Sequence, residues 1–152
     1  MIPQFVVNIF EYEEQLYIFP ASKKKTPGYF YELPSLKMTF DSSGNEVGIQ
    51  VLRAAEKVRN LQFEKNPFSE EEKNTDVGIR KWITFINKCR YCRVHPDLQC
   101  SSNIVVSPGY RSASGFEFGE DLLANSDDPE DIGNKVLQAL KTYPPKFPKK
   151  KK

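Results

Sequence analysis

The sequence predicts a single α+β domain in which a mostly antiparallel sheet carries about three helices. Three observations support this class. A chain of 152 residues fits one domain with one core. Hydrophobic residues make up 39% of the chain and aromatic residues 12%, which fills a core and excludes a disordered chain. Short runs rich in β-branched and aromatic residues flank segments whose apolar residues recur at helical spacing.

The first part of the chain predicts extended structure. Residues 4–10 and 16–19 are rich in β-branched and aromatic residues and are separated by a short acidic stretch, which indicates a hairpin. Residues 22–28 predict a loop, residues 29–33 a third strand, and residues 36–40 a further extended segment.

Two segments that follow have helical periodicity. The first helix is predicted over residues 45–61, and its apolar face consists of Val47, Val51, Ala54, Val58 and Leu61. The second is predicted over residues 76–88, where Thr75 or Asp76 can cap it. Its apolar face consists of Ile79, Trp82, Ile83, Ile86 and Cys89. The acidic run between these helices predicts a solvated loop.

Three strands and one helix are predicted in the rest of the chain. The strands fall at residues 91–95, 103–107 and 115–119. The last helix is predicted over residues 128–143, because Asp128 can cap it, Pro129 suits its first position and two prolines follow it. Its apolar stripe comprises Ile132, Val136, Leu140 and Tyr143. The domain is therefore assigned to residues 1–143, and the Pro- and Lys-rich residues 144–152 are predicted to be a disordered tail.

Charge is divided unevenly between the body and the tail. The net charge is +2, but residues 141–152 hold six lysines and no acid, so residues 1–140 carry a net charge of −4. The basic balance is thus a property of the tail and does not predict a nucleic-acid-binding domain. No apolar run approaches the roughly 20 residues that span a bilayer, and no secretory signal is recognisable. With three cysteines, this predicts a soluble cytoplasmic protein that does not contact membranes.

A short internal sequence repeat links the first and last predicted helices. Residues 46–55 read EVGIQVLRAA and residues 131–140 read DIGNKVLQAL, which share an acid, a β-branched residue, a glycine and a Val-Leu pair. Glycine within a helix costs about 1 kcal/mol relative to alanine. We therefore expect Gly48 and Gly133 to mark places where each helix start closely approaches a neighbouring backbone.

These segments, with the mid-chain sequence KWITFI, resemble the immunity proteins of bacterial contact-dependent growth inhibition systems, the CdiI family. The resemblance covers most of residues 29–143. It implies a cytoplasmic protein that binds and neutralises a toxin domain delivered by neighbouring cells. It transfers no active site, and because the family's toxin-contacting positions vary, it assigns no contact residue.

A competing hypothesis comes from the cysteines. Cys89, Cys92, His95 and Cys100 fall within twelve residues and could supply a tetrahedral zinc site similar to a zinc knuckle, which predicts a small nucleic-acid-binding protein. The spacing between Cys92 and His95 departs from that of a knuckle. In the alternative interpretation Cys89 packs against a helix, and a strand sends Cys92 and His95 to opposite faces. We favour structural cysteines and expect no bound metal and no nucleic-acid partner.

Catalytic chemistry and cofactors are not predicted. His95 is the only histidine that could serve as a base, and no oxyanion-hole signature accompanies the nearby cysteines. Glycine-rich phosphate loops are also absent from the sequence. We therefore expect a protein that is not an enzyme and that uses no cofactor.

Acidic clusters and tyrosines supply the candidate contacts with a toxin. Acidic side chains would steer a basic partner such as a nuclease, and tyrosines would anchor it. The candidates are Glu11, Tyr12, Glu13, Glu14, Glu70, Glu71, Glu72, Tyr110, Glu120 and Asp121.

Overall fold

The computed structural model describes residues 5–24, 30–59, 62–63, 65–78 and 80–147. Its strands are β1 (Phe5–Tyr12), β2 (Gln15–Lys24), β3 (Phe30–Glu32), β4 (Leu36–Thr39), β5 (Gln62–Phe63), β6 (Arg90–Pro96), β7 (Asn103–Ser112), β8 (Gly115–Phe118) and β9 (Leu122–Asn125). Its helices are α1 (Gly44–Val58), α2 (Glu70–Val77), α3 (Trp82–Lys88) and α4 (Pro129–Leu140).

The nine strands found in the described ranges join one sheet. Six follow the order β3-β2-β1-β6-β7-β8, while β4 and β5 pair with β2 and β9 pairs with β7. Every pairing is antiparallel except that of β2 with β5. The predicted α+β class with a mostly antiparallel sheet is confirmed.

The sheet is covered on both faces by different helices. Alternation along the strands sends Val7 and Ile9 toward α1 and α4, whereas Phe10 points toward α2 and α3. We call these the α1/α4 face and the α2/α3 face. The α1/α4 face is aliphatic, and the α2/α3 face is built from aromatic rings such as Phe19 and Phe85, whose centroids lie near those of Trp82 and Phe10. None of the helices in the described residues is long and apolar enough to cross a membrane.

The two glycines of the repeat, Gly48 and Gly133, make a reciprocal contact between α1 and α4. A Cβ atom at Gly48 would overlap the carbonyl oxygen of Pro129, the first residue of α4. A Cβ atom at Gly133 would overlap the carbonyl oxygen of Gly44, the first residue of α1. Backbone cannot move aside as a side chain can. The predicted close approach of each helix start to a neighbouring backbone is confirmed.

The prediction of one helix over residues 76–88 is wrong, since two helices occupy this region. Ser69 caps α2 through a capping box with Glu72, and Gly78, at φ 66°, ends it in the left-handed conformation. Residues 70–72 therefore form the first turn of α2 rather than a loop, and neither Thr75 nor Asp76 is a cap. The short α3 then begins afresh after Lys81.

Smaller differences concern faces and boundaries. Ile83 is 45% exposed and Phe85 is fully buried in its place, because α3 is rotated relative to the predicted helix. The first and last helices end earlier than predicted, at Val58 and Leu140, and Tyr143 lies beyond α4. The strand β2 includes residues 22–24 of the predicted loop, and β5 and β9 had not been predicted. Gln4, residues 25–29, Leu61, Ile79 and residues 148–152, on which other predictions fall, lie outside the described residues.

Candidate functional site

The turn between β1 and β2 is the most unusual backbone of the described residues. Tyr12 pairs with Gln15, so Glu13 and Glu14 form a two-residue hairpin turn. Their φ angles are 50° and 67°, both in the left-handed region. Hairpins of this kind strongly prefer Asn-Gly or a similar pair, and non-glycine residues held there cost about 1 kcal/mol or more each. Two glutamates in such a turn indicate a role other than stability.

A cleft lies beside this turn. It has a volume of about 340 Å³ and is lined by Glu11, Tyr12, Glu13, Glu14, Lys88, Arg90 and Pro145. The hairpin supplies four of these residues, the end of α3 and the start of β6 supply two, and the segment after α4 supplies Pro145. That segment is held nearby, because the Phe147 N–H donates to the Asn87 carbonyl at 2.8 Å. We call this region the hairpin cleft.

The sheet places Tyr110 in the same row as the hairpin cleft. Glu11 pairs with Arg90 across β1 and β6, and their nearest side-chain atoms are 4.0 Å apart. Tyr110 lies on β7 one step beyond the Tyr91–Gly109 pair, so it follows Arg90 across the sheet. The Tyr110 ring packs on that of Tyr143, with centroids 4.7 Å apart. Glu11 and Tyr110 therefore belong to one surface at this end of the sheet.

The hairpin cleft carries three carboxylates, those of Glu11, Glu13 and Glu14, beside the cations of Lys88 and Arg90. Burial raises the pKa of the Glu11 carboxyl, and the Arg90 guanidinium opposes this only in part. Burial, with the neighbouring Glu13 carboxylate, also raises the pKa of Tyr12. A hydrogen bond to Glu117 raises the pKa of Tyr110. Glu11 is thus an incompletely compensated carboxylate, and a further positive charge nearby would favour its ionised form.

The remaining acidic candidates lie elsewhere. Glu70 and Glu71 are exposed at the start of α2, and Glu72 is held in the capping box. Only the far end of α2 approaches the hairpin, where Val77 and Gly78 share a small cleft with Tyr12 and Glu13.

The segment after β8 is also separate from the hairpin cleft. Glu120 is exposed, and Asp121 accepts a hydrogen bond from the Ser107 hydroxyl at 2.6 Å on the α2/α3 face. Neither residue lines the hairpin cleft. The structure therefore brings the four hairpin candidates together in the cleft. It places Tyr110 in the same row of the sheet but outside the cleft lining, and it leaves the other candidates apart.

Sequence reasoning missed four contributors to this surface, namely Lys88, Arg90, Tyr143 and Pro145. Arg90 could be paired with Glu11 only if the adjacency of β1 and β6 were known, and 79 residues separate the two in the sequence. Tyr143 was assigned to the apolar stripe of the last helix. The two consecutive prolines after it were a signal that the chain leaves the helix there.

The zinc-site hypothesis is wrong for this fold. Cys89 is buried among the aromatic residues of the α2/α3 face, whereas Cys92 is buried on the α1/α4 face. Cys100 is exposed in the loop before β7, and the His95 ring nitrogen Nδ1 lies 2.9 Å from the Pro96 carbonyl oxygen. Among the described residues no three His, Cys, Asp or Glu side chains converge. The two cysteines on opposite faces of the sheet cannot bind one ion, which leaves them as core residues.

This placement predicts thiol reactivity. Burial strongly raises the pKa of Cys89 and Cys92, so both remain protonated and covered in the native state, and the exposed Cys100 reacts first. We expect a disulfide reagent such as DTNB to modify one thiol per native chain rapidly and all three in denaturant. The variant Cys100→Ser should lack the rapid phase. Rapid modification of two or three native thiols would contradict the assignment.

A second prediction uses the strain of the hairpin turn. Replacing Glu13 by Asn and Glu14 by Gly supplies the preferred turn residues and is expected to raise the free energy of unfolding by about 1–2 kcal/mol. Urea denaturation measures the change. The double variant Glu13→Gln/Glu14→Gln is the control, because it removes the charges and keeps the strain. If the Asn-Gly variant is no more stable than this control, the turn carries no strain.

No protein-family model and no curated protein sequence matches this chain. Its fold, however, is similar to those of solved proteins. A protein of unknown function from Neisseria meningitidis, NMB0488, aligns with a TM-score of 0.63 and 16% identity over 92% of this chain and 96% of that one. A chain of the CdiA-CT/CdiI toxin and immunity complex from Yersinia pseudotuberculosis aligns with a TM-score of 0.60 and 11% identity over 90% of this chain and 95% of that one.

The likeness extends over nearly the whole of each chain, so it describes the entire architecture rather than one motif. At these identities it shows a shared fold. The protein therefore has the fold of a chain found in a toxin and immunity complex.

Proposed function

We propose that this protein is an immunity protein that binds and neutralises the toxin domain of a contact-dependent growth inhibition system by forming a stoichiometric complex. The observation that carries the proposal is the whole-chain similarity to a chain of a toxin and immunity complex. The strained, acidic hairpin cleft supports it, because that surface is costly to maintain and suits a cationic partner.

In the proposed mechanism the protein acts by occupying the toxin and not by catalysis. Glu13 and Glu14 are exposed at the tip of the hairpin, where they attract a basic toxin surface such as the substrate groove of a nuclease. A lysine or arginine of the toxin then approaches Glu11. Tyr12, which lines the cleft with its ring packed on that of Phe85, and Tyr110, which lies in the same row of the sheet, supply rigid contact area. The complex forms in the cytoplasm of the recipient cell and requires no cofactor.

Growth protection tests this proposal. On this proposal the cognate toxin domain is expected at the C-terminus of an exported protein encoded immediately upstream. That domain is expressed from an inducible promoter in cells that carry or lack this protein. We expect full growth with the cognate toxin and arrest with an unrelated toxin domain. Deletion of Lys149–Lys152 should leave protection intact, since these lysines carry the same charge as the proposed partner. Growth arrest by the cognate toxin in the presence of folded protein would refute the proposal.

A further inference from the structure

The open part of the α2/α3 face holds two arginines in the same arrangement. The Nε–H group of Arg93 donates to the Asn8 side-chain oxygen at 3.3 Å, and its guanidinium lies 4.7 Å from the centroid of the Phe118 ring. The Nε–H group of Arg111 donates to the Asn87 side-chain oxygen at 3.3 Å, and its guanidinium lies 5.3 Å from the Phe116 ring centroid. Each guanidinium is thus oriented by a neutral amide and an aromatic ring.

Within the described residues, neither arginine has an acidic partner. No carboxylate of the described residues lies within 4.0 Å of either guanidinium, although other cations of the chain form such pairs. The Nε–H of Arg93 also donates to the Tyr91 hydroxyl at 3.2 Å, and Tyr91 in turn donates to Asn8 at 2.7 Å. These contacts use Nε, and among the described residues no hydrogen bond engages the terminal amino groups of either arginine. A guanidinium fixed in this way is suited to bidentate binding of a carboxylate.

The spacing of the two arginines defines the ligand further. Phe116 and Phe118 lie two residues apart on β8, so the backbone positions that carry the two rings are separated by about 6.6–6.8 Å. Carboxylates at positions i and i+2 of an extended peptide have the same separation and point to the same side. Apolar surface adjoins the pair, since Phe118 is 38% and Leu123 is 53% exposed.

We propose that Arg93, Arg111, Phe116 and Phe118 form a binding surface for an extended protein segment that carries acidic residues at alternate positions. The two guanidiniums complement the carboxylates of such a segment, and the apolar flank suits its uncharged side chains. Asp121, which accepts from Ser107 opposite Arg93, adds one negative charge to this face. A nucleic acid also carries anions, but the net charge of −4 on residues 1–140 would repel a long polyanion more than a short acidic segment. The surface is separate from the hairpin cleft, and this inference does not depend on the proposed function.

A peptide titration tests the inference. The probe is an eight-residue peptide of alternating Glu and Thr, and the reference probes are its Gln/Thr counterpart, a peptide of the same composition with the glutamates adjacent, and oligouridylate. Binding to the full-length protein is followed by ¹⁵N–¹H NMR. We expect saturable binding of the alternating peptide, with shifts concentrated at β6, β7 and β8, and at least fivefold weaker binding of each reference probe.

The variants R93Q and R111Q should each weaken binding about tenfold, which corresponds to about 1.4 kcal/mol. R93K and R111K keep the positive charge but lose the planar guanidinium that can bind a carboxylate through two hydrogen bonds. We therefore expect their affinity for the alternating peptide to lie between those of the parent and the glutamine variants. R59Q is the matched control, because Arg59 also lies over an aromatic ring, that of Phe5, but is paired with Glu56. If R93Q fails to fold, the binding of the peptide to R111Q tests the inference on its own, since Arg111 takes no part in the hydrogen bonds among Asn8, Tyr91 and Arg93. Unchanged binding in R111Q, equal binding of the Gln/Thr peptide, or preferential binding of oligouridylate would overturn the inference.

Discussion

Replacing Gly48 or Gly133 by alanine is expected to lower the free energy of unfolding by about 2–3 kcal/mol. Helix propensity alone predicts the opposite, since alanine is favoured over glycine within a helix by about 1 kcal/mol. The structure reverses that sign because each new methyl group would overlap a backbone carbonyl, that of Pro129 or of Gly44. The helices α1 and α4 must then separate, which opens the aliphatic core that both cover.

Urea denaturation of Gly48→Ala and Gly133→Ala measures these changes, and the melting temperature should fall by roughly 5–10 °C. Gly44→Ala is the matched control. Its added Cβ would overlap the side-chain oxygen of Asn134, which can rotate away, and would lie 3.2 Å from the Asn134 backbone nitrogen. Because no backbone atom is overlapped outright, its effect should be smaller. If Gly48→Ala or Gly133→Ala is as stable as the parent, the reciprocal contact does not constrain the two helices.

Reversing the charge of the hairpin tip should have the largest effect on partner binding. We expect Glu13→Lys/Glu14→Lys to slow association with the upstream-encoded toxin domain at least tenfold at 50 mM salt, because exposed charges steer encounter. The effect should shrink at 500 mM salt, where screening is stronger. Surface plasmon resonance at the two ionic strengths measures both rates.

Glu70→Lys/Glu71→Lys is the control for this experiment. It makes the same change of charge at exposed positions of α2 that do not line the hairpin cleft, so its effect on association should be clearly smaller. If this control slows association as much or more, the toxin contacts the start of α2 and not the hairpin tip. An association rate that neither double variant changes would remove the electrostatic role of both acidic clusters.

Local signals allowed α1 and α4 to be predicted from the sequence. Both helices have strong apolar periodicity, and Ser43 and Asp128 cap them at their starts. Gly48 and Gly133 could be selected from the sequence because glycine destabilises a helix unless close packing requires it. The contact between α1 and α4 is that close packing. That each glycine meets the first residue of the other helix depends on tertiary structure and had not been predicted.

The error at α2 and α3 has a local cause. The acidic run at residues 70–72 was interpreted as a loop, although Ser69 followed three residues later by Glu72 is a capping-box pattern. Gly78 was an available stop signal for that helix. The apolar periodicity across residues 79–89 outweighed both signals, and it mispredicted which residues of α3 are buried.

The candidate site was only partly accessible to sequence reasoning. The acidic hairpin is local in the chain, so its residues could be selected without a structure. Its union with Arg90 and Tyr110 results from the strand order β1-β6-β7, which joins segments far apart in the sequence. The left-handed conformation of Glu13 and Glu14 was also hidden, because the sequence there lacks the glycine or asparagine that marks such turns.

Titration calorimetry of this protein with the purified upstream-encoded toxin domain tests the central claim most directly. The account predicts a single complex with one chain of each partner, nanomolar or tighter affinity, and loss of toxin activity that tracks complex formation at equimolar protein. Glu13→Lys/Glu14→Lys should bind more weakly than the parent in the same titration. An absence of binding by folded protein, or a complex in which the toxin remains fully active, would contradict the account.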